Sequence, residues 1–419
     1  MSYSPLRSLL LLLPAALLGP LLVTAAPTPA AAAPDTAADT VVVDSLDTLC
    51  PRASLSERLQ QLVDGEALLC HSQVGLYVYD LDADSAVYGY GEQQLMRPAS
   101  CQKLITAVAG LSLLGTDYRY RTQLYLVGGD TDSTATVYLR GGFDPLLGDA
   151  DVRTLADSLR RRGITRLDGP VHFDRTMKDT ADRGWGWCWD DKVTPLTPLL
   201  YNGRTGLESQ FIRALQQTGL SVPQTAIYDE VPSHAECIAQ VGHTIDQVLL
   251  PMMKDSKNLY AESLFYQIAA LKPRHPDAAH KDAIREIEHW LKNKVGIDAD
   301  YKVADGSGLS PYNWTTPHIL VALLRYAYHD AALYRHLLPT LPIAGRDGTL
   351  DSRLKSRGTR DNVRAKTGTV DGVSTLAGYC TADNGHRLCF AILNQGVYKA
   401  ARGRAFQDKV CRVMVGEEE

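Results

Sequence analysis

Ser100 and Lys103 stand three residues apart in the stretch Arg97-Pro98-Ala99-Ser100-Cys101-Gln102-Lys103. Pro98 disfavours helix just before the serine, and the run from Ser100 to Leu114 reads as a helix with Leu104, Val108 and Leu111 on one apolar stripe. Residues three apart on a helix share a face, so the Lys103 amine can lie beside the Ser100 hydroxyl. A serine hydroxyl is a poor nucleophile at neutral pH and needs a neighbouring base. A lysine buried against apolar walls can lose its proton near neutrality and act as that base. The helix N-terminus adds backbone N–H groups that could face a developing oxyanion. Alone, Ser-x-x-Lys is common, and a capping serine followed by a surface lysine is its everyday meaning.

Two further groups supply what such a pair lacks. Lys366-Thr367-Gly368-Thr369 opens a β-hairpin, where a lysine and a hydroxyl on a strand edge can hold a substrate carboxylate and Gly368 lets a ligand approach the backbone. Ser256-Lys257-Asn258 heads a helix expected over Leu259 to Ala270. A serine hydroxyl there can relay a proton, and an asparagine amide can hold both a lysine and a carbonyl. Helix capping is the plainer use of Ser and Asn. Ser307 and Ser310, in Asp305-Gly306-Ser307-Gly308-Leu309-Ser310, compete with Ser256, but Ser310 to Asn313 is one residue too long for Ser-x-Asn.

The elements that must position these groups follow from periodicity. Helices are expected at about 45–63, 151–162, 245–254, 259–270, 282–292, 317–328 and 401–414, with Thr316 capping the sixth and Pro317 at its first position. Strands are expected at 74–81, 86–90, 120–127, 136–140, 171–173, around Lys366, at 376–381 and at 387–393. If Asn384-Gly385 forms a two-residue hairpin loop, Cys380 faces Cys389 across a non-hydrogen-bonded position, close enough for a disulfide. Two small buried thiols are the alternative. Trp185, Trp187 and Trp189 would share a face if they alternated along a strand, as a ligand platform or as packing against a neighbouring element. His275 and His280 have no third ligand spaced nearby, so no metal site is expected.

The chain has 419 residues, 45% of them hydrophobic and 22% charged, with a net charge of −5, which points to no nucleic-acid surface. Arg7 precedes an apolar run from Leu9 to Val23, and Thr24-Ala25-Ala26 offers a cleavage site. Residues 1–26 therefore read as a secretory signal peptide and 27–44 as an Ala-, Pro- and Thr-rich linker. A membrane anchor is the rival, opposed by Pro14 and Pro20. Eight cysteines in an exported chain permit disulfides.

Ser-x-x-Lys, Ser-x-Asn and Lys-Thr-Gly in this order form the set known from penicillin-binding proteins and class A β-lactamases. Together with Gly141-Gly142-Phe143-Asp144-Pro145, Asn258-Leu259-Tyr260-Ala261-Glu262 and Asp305 to Ser310, they make the chain resemble the DacB-type D-alanyl-D-alanine carboxypeptidase/endopeptidases, the class C low-molecular-mass penicillin-binding proteins. The resemblance runs from about Ser45 to the C-terminus, and the long stretch from Lys103 to Ser256 is the family's mark. Phe143 in place of a usual glycine, Lys257 where aspartate is common, and a shortened stretch after Arg204 depart from the pattern.

The resemblance implies an α/β (α+β) fold: a serine β-lactamase/transpeptidase-like domain over 45–116 and 242–419, with an antiparallel sheet flanked by helices, and a β-rich insertion over 117–241. It implies cleavage of D-Ala-D-Ala in peptidoglycan stem peptides through an acyl-enzyme. Ser100 would be the nucleophile, Lys103 its base, Ser256 the donor to the leaving amine and Asn258 the orienting group. Lys366 and Thr367 would bind the terminal carboxylate, with Gly368 beside them and the backbone N–H groups of Ser100 and Thr369 forming the oxyanion hole. No cofactor is implied. Stem peptides and β-lactams are the expected partners, nucleic acid is not, a homodimer is allowed, and the expected location is periplasmic. A serine β-lactamase and a non-catalytic wall-binding or sensor protein are the alternatives; the long insertion opposes the first and the intact triplet the second.

Overall fold

The computed structural model describes residues 53–128, 134–271 and 279–417. The expected signal peptide and linker, Cys50 and His275 lie outside them. No helix among the described residues is long and apolar enough to cross a membrane.

A five-stranded antiparallel sheet carries the chemistry. Its strands run in the order Arg364–Val370, Val373–Thr381, Arg387–Gln395, Gln73–Asp80, Ser85–Tyr90. Helices cover both faces, so Val373–Thr381 and Arg387–Gln395 are buried on both sides and lack the alternation of a half-exposed strand. On one face, Leu76, Val78, Phe390 and Ile392 pack with the helices Leu55–Gly65 and Ala400–Met414. On the other, Tyr79, Ala377, Ala391 and Leu393 pack with the helices Gln102–Leu114, Ile245–Lys254, Asn258–Ala269 and Pro317–His329. The helix starts follow side-chain chemistry: Ser54 with Glu57 and Thr244 with Gln247 close capping boxes, and Thr316 Oγ1 accepts from Ile319 N at 3.1 Å ahead of Pro317.

A second sheet has strand order Glu236–Val241, Thr122–Gly128, Thr134–Arg140, Val171–Asp174, Ala226–Tyr228, with Arg166–Leu167 beside Thr134–Arg140. Its first two pairings are antiparallel and the next two parallel, each parallel step crossing over a helix, Asp149–Arg161 or Leu207–Gln217. It has its own apolar core, including Leu139, Leu155, Phe173, Phe211 and Leu215. The segment is thus mixed α/β rather than simply β-rich. The helix Leu207–Gln217 was not among the sequence expectations.

The expected Cys380–Cys389 disulfide is not formed; both thiols are free and buried. The hairpin loop has three residues, not two: Ala382 N donates to His386 O at 2.8 Å, Gly385 N donates to Ala382 O at 3.0 Å, and Gly385 takes the left-handed φ of +86° that closes such loops. The register therefore pairs Cys380 with Leu388 and Cys389 with Tyr379. A slip of one residue turns a side chain to the other face. Cys380 packs in the core beneath Ala400–Met414, and Cys389 in the core on the opposite face, which includes Pro317–His329. Burial pushes the Cys380 thiol up to about 12 and raises that of Cys389 as well.

Candidate active site

The Ser100 helix begins more tightly than its sequence suggests. Ala99–Cys101 forms a single 3₁₀ turn, with Ala99 at φ +45° and Cys101 N donating to Pro98 O at 3.1 Å, before the α-helix Gln102–Leu114. Every residue from Gln102 to Leu111 is buried, not only the predicted stripe. Lys103 is therefore 0% exposed. Its Nζ donates to Ser100 Oγ at 3.0 Å, to Asn258 Oδ1 at 2.7 Å and to the Ser307 carbonyl at 2.8 Å. Burial, and then the positive charge of Lys366, push the Lys103 amine down to about 7, against the opposing pull of Asp305 and Glu262. A neutral amine has two N–H groups and one lone pair. With two carbonyl oxygens taking the N–H groups, the lone pair is left for the Ser100 hydroxyl.

Lys366 lies on the edge strand Arg364–Val370 and is also fully buried. Its Nζ donates to Ser256 Oγ at 2.9 Å and to Thr367 O at 2.7 Å, and burial lowers its pKa to about 8. Ser256 holds φ +58° in the turn between two helices, and Lys257 rather than Ser256 occupies the cap position of Asn258–Ala269. Ser256 is thus not spent on capping. Thr367 Oγ1 donates to Thr349 Oγ1 at 2.7 Å. Gly368 pairs with Thr375, whose hydroxyl donates to Pro98 O at 2.8 Å and ties the strand to the serine turn. A Cβ on Gly368 would sit 2.1 Å from Thr375 Oγ1 and 2.9 Å from both Pro98 O and Ser100 N, so only glycine lets this strand lie against the nucleophile turn. Thr369 follows on the same strand.

The structure thus brings Ser100, Lys103, Ser256, Asn258, Lys366 and Gly368 to one place. The competing serines stand elsewhere in the scheme. Ser307 contributes its carbonyl to Lys103 while its hydroxyl donates to Asp305 Oδ2 at 3.2 Å, and Ser310 Oγ accepts from Tyr312 N at 3.3 Å. The Asp305 carboxylate ties this loop by accepting from Gly308 N, Ser310 N and Asn313 Nδ2 at 2.7, 2.7 and 2.8 Å. It also accepts from Trp187 Nε1 at 2.8 Å. The tryptophans do not alternate along a strand: the described chain from 175 to 199 is irregular. Trp187 is half-buried, Trp185 packs on Tyr312 with centroids 5.0 Å apart, and Trp189 is 88% exposed. A cavity of about 370 Å³ beside the motif residues is lined by Trp187, Thr194, Asn202, Ser256, Asn258 and Tyr260.

Sequence reasoning named Ser307 only as a rival to Ser256, and Asp305 and Glu262 only within stretches that carry the resemblance, so none was given its part in this arrangement. A backbone carbonyl has no residue-type signature. Glu262 had one: it is the single charge in the otherwise neutral helix Asn258–Ala269, one turn after Asn258.

The D-Ala-D-Ala carboxypeptidase 3 (S13) family description matches residues 54–200 and 200–415, nearly the whole described chain. The chain belongs to this family. It is a serine-type D-Ala-D-Ala carboxypeptidase by class, a hydrolase with a penicillin-binding fold. Similar relatives include D-alanyl-D-alanine carboxypeptidase DacB of Haemophilus influenzae, 26% identical over 80% of this chain and 87% of that protein. Carboxypeptidase DacB of Mycolicibacterium smegmatis is 29% identical over 83% of this chain and 82% of its own. Among solved structures, penicillin binding protein 4 (dacB) of Haemophilus influenzae superposes with a TM-score of 0.77 at 22% identity, covering 87% of this chain and 99% of that one. The same protein bound to a β-lactam gives a TM-score of 0.70, covering 85% and 98%. The family match and the fold agree with the expected antiparallel, helix-flanked sheet.

Proposed function

We propose that this chain hydrolyses the terminal D-Ala-D-Ala bond of peptidoglycan stem peptides, and D-Ala cross-links of the same stereochemistry, with Ser100 as nucleophile. The observation that carries the reading is the Lys103 amine, fully buried and held by Ser100 Oγ, Asn258 Oδ1 and the Ser307 carbonyl at 3.0, 2.7 and 2.8 Å. Lys103 removes the Ser100 proton as Oγ bonds to the scissile carbonyl carbon. The backbone N–H groups of Ser100 and Thr369 take the oxyanion. As the C–N bond breaks, Ser256 gives its proton to the leaving amine nitrogen and regains one from Lys366, 2.9 Å away. Asn258 keeps Lys103 oriented, and Lys366 and Thr367 hold the terminal carboxylate. Water then attacks the ester and gives its proton through Ser256 to the now neutral Lys366, while Lys103 returns its proton to Ser100 Oγ as the ester C–O bond breaks.

The cavity beside Ser256 and Asn258 suits the rest of the stem peptide, its volume of about 370 Å³ falling in the usual range for small-molecule clefts. β-Lactams, which mimic the same amide, are expected to acylate Ser100. The location of the substrate and the leader at 1–26 favour a periplasmic enzyme. The separate core of the second sheet supports reading 117–241 as an insertion between the two parts, 45–116 and 242–419, of the catalytic domain.

The test is incubation of purified protein with a pentapeptide muropeptide, followed by measurement of free D-alanine. Release by the wild type and none by Ser100→Ala is the expected result. No release by either, with the substrate intact, would overturn the assignment.

A further inference from the structure

The helix Asn258–Ala269 presents two polar side chains one turn apart toward the Ser100 helix. Asn258 meets Lys103 directly, with Oδ1 2.7 Å from Nζ. Glu262, only 1% exposed, accepts from Gly306 N at 3.3 Å through Oε2, and its Oε1 has no hydrogen-bond partner. Gly306 is the residue before Ser307, whose carbonyl is the other oxygen holding Lys103. The Gly306 backbone is held at its carbonyl too, since Thr106 Oγ1 donates to Gly306 O at 2.7 Å. Gly306 has no room to retreat: a Cβ there would lie 2.7 Å from Ala261 O and from Phe265 Cβ. One rigid helix therefore governs both fixed acceptors of the lysine, one by touching it and one through a backbone peptide.

Burying a carboxyl so completely is costly unless it serves a purpose, and nothing in the core packing requires an acid at this point. We infer that Glu262 is a positioning residue for acylation: by accepting from Gly306 N it fixes the Gly306 backbone, so that the next carbonyl, that of Ser307, takes one Lys103 N–H and the amine lone pair stays on Ser100. This rests on the acyl-transfer reading above. The groups facing Glu262 are Lys103 on the Ser100 helix, Asp305 and Ser307 on the loop, and Tyr266 on its own helix. Burial, and then the charge of Asp305, raise the Glu262 carboxyl to about 8, so at neutral pH it is largely uncharged. Any ionised fraction favours the Lys103 ammonium and so works against the base.

Two variants separate position from charge. Glu262→Asp keeps the acid but shortens its reach to Gly306 N. Glu262→Gln keeps the reach and removes the ionisation. The second-order rate of acylation by a fluorescent penicillin, counted as adduct plus hydrolysed penicillin, is measured from pH 5 to 9 on the full chain, with melting temperatures alongside. E262D is expected to lose about tenfold or more in rate while remaining folded. E262Q is expected to keep its rate within about threefold of wild type and its acid limb in place, because the carboxyl it replaces is already neutral over that limb. An E262D rate within about twofold of wild type, or an E262Q rate reduced as far as that of E262D, would overturn the inference. If E262D does not fold, Glu262→Leu, which keeps the bulk but cannot accept from Gly306 N, takes its place, and a rate within about twofold of wild type overturns the inference. Failure of the wild type itself to react, with the penicillin left intact, would instead overturn the acyl-transfer reading, and this inference with it.

Discussion

Ser256 Oγ accepts a hydrogen bond from Lys366 Nζ at 2.9 Å, although the two residues are 110 positions apart and belong to a helix–helix turn and an edge strand. On the proposed mechanism the contact gives the serine a proton source separate from Lys103. Ser256→Ala removes the relay while leaving the turn's φ of +58° no harder to adopt than before, since alanine and serine share the same steric cost there. The expected loss in turnover of a D-Ala-D-Ala peptide is about 100-fold or more, the usual worth of one positioned proton donor. Steady-state kinetics with melting temperatures will separate this from a folding defect.

Lys103 and Lys366 set the pH dependence. Lys103, lowered to about 7, must be uncharged to accept the Ser100 proton, so kcat/KM falls as pH drops below 7. Lys366, lowered to about 8, must be charged to hold a carboxylate and resupply Ser256, so kcat/KM falls again above 8. The product is a narrow bell whose two limbs belong to the coupled pair of lysines. A flat profile from pH 5 to 9 would contradict these assignments.

Gly368 is a tight steric point of the site. Gly368→Ala forces a Cβ to within 2.1 Å of Thr375 Oγ1 and 2.9 Å of Ser100 N, so the Lys366 strand must move away from the nucleophile turn. A loss of at least about tenfold in acylation is expected, together with a lowered melting temperature, since overpacking a close approach costs on the order of 1–3 kcal/mol. Penicillin-labelling rates and thermal melts measure the two effects.

The hairpin carries a prediction of its own. Cys380 and Cys389 lie on opposite faces of the sheet, are free, and have thiol pKa values raised by burial. Alkylation should be negligible in the native state and complete for both after unfolding without reductant. A non-reduced digest should contain no peptide joining them.

That hairpin also marks where the sequence stopped being legible. The helices 245–254 and 317–328 were readable because each begins with a side-chain cap, Thr244 or Thr316, ahead of an apolar stripe, and 259–270 because it is a long run of apolar and helix-forming residues. That Ser100, Lys103, Ser256, Asn258 and Lys366 come together was readable because these side chains stand in short motifs at fixed spacings. Strand register was not, because Asp383-Asn384-Gly385 suits a three-residue loop as well as Asn384-Gly385 suits a two-residue one, and the backbone settles the matter. The Trp185–Trp189 stretch looked strand-like by alternation, yet its conformation follows tertiary partners, Asp305 for Trp187 and Tyr312 for Trp185. Glu262 and the Ser307 carbonyl gain meaning only once a helix and a distant loop converge on Lys103.

The central claim is that Ser100 is acylated. Intact-mass spectrometry after brief exposure to benzylpenicillin, followed by peptide mapping, tests it most directly on wild type, Ser100→Ala and Lys103→Ala. A single added penicilloyl group mapping to Ser100 in the wild type, none in Ser100→Ala, and a rate reduced by about 100-fold or more in Lys103→Ala is the predicted result. An adduct that persists in Ser100→Ala, or an unmodified wild type beside undiminished penicillin, would contradict it.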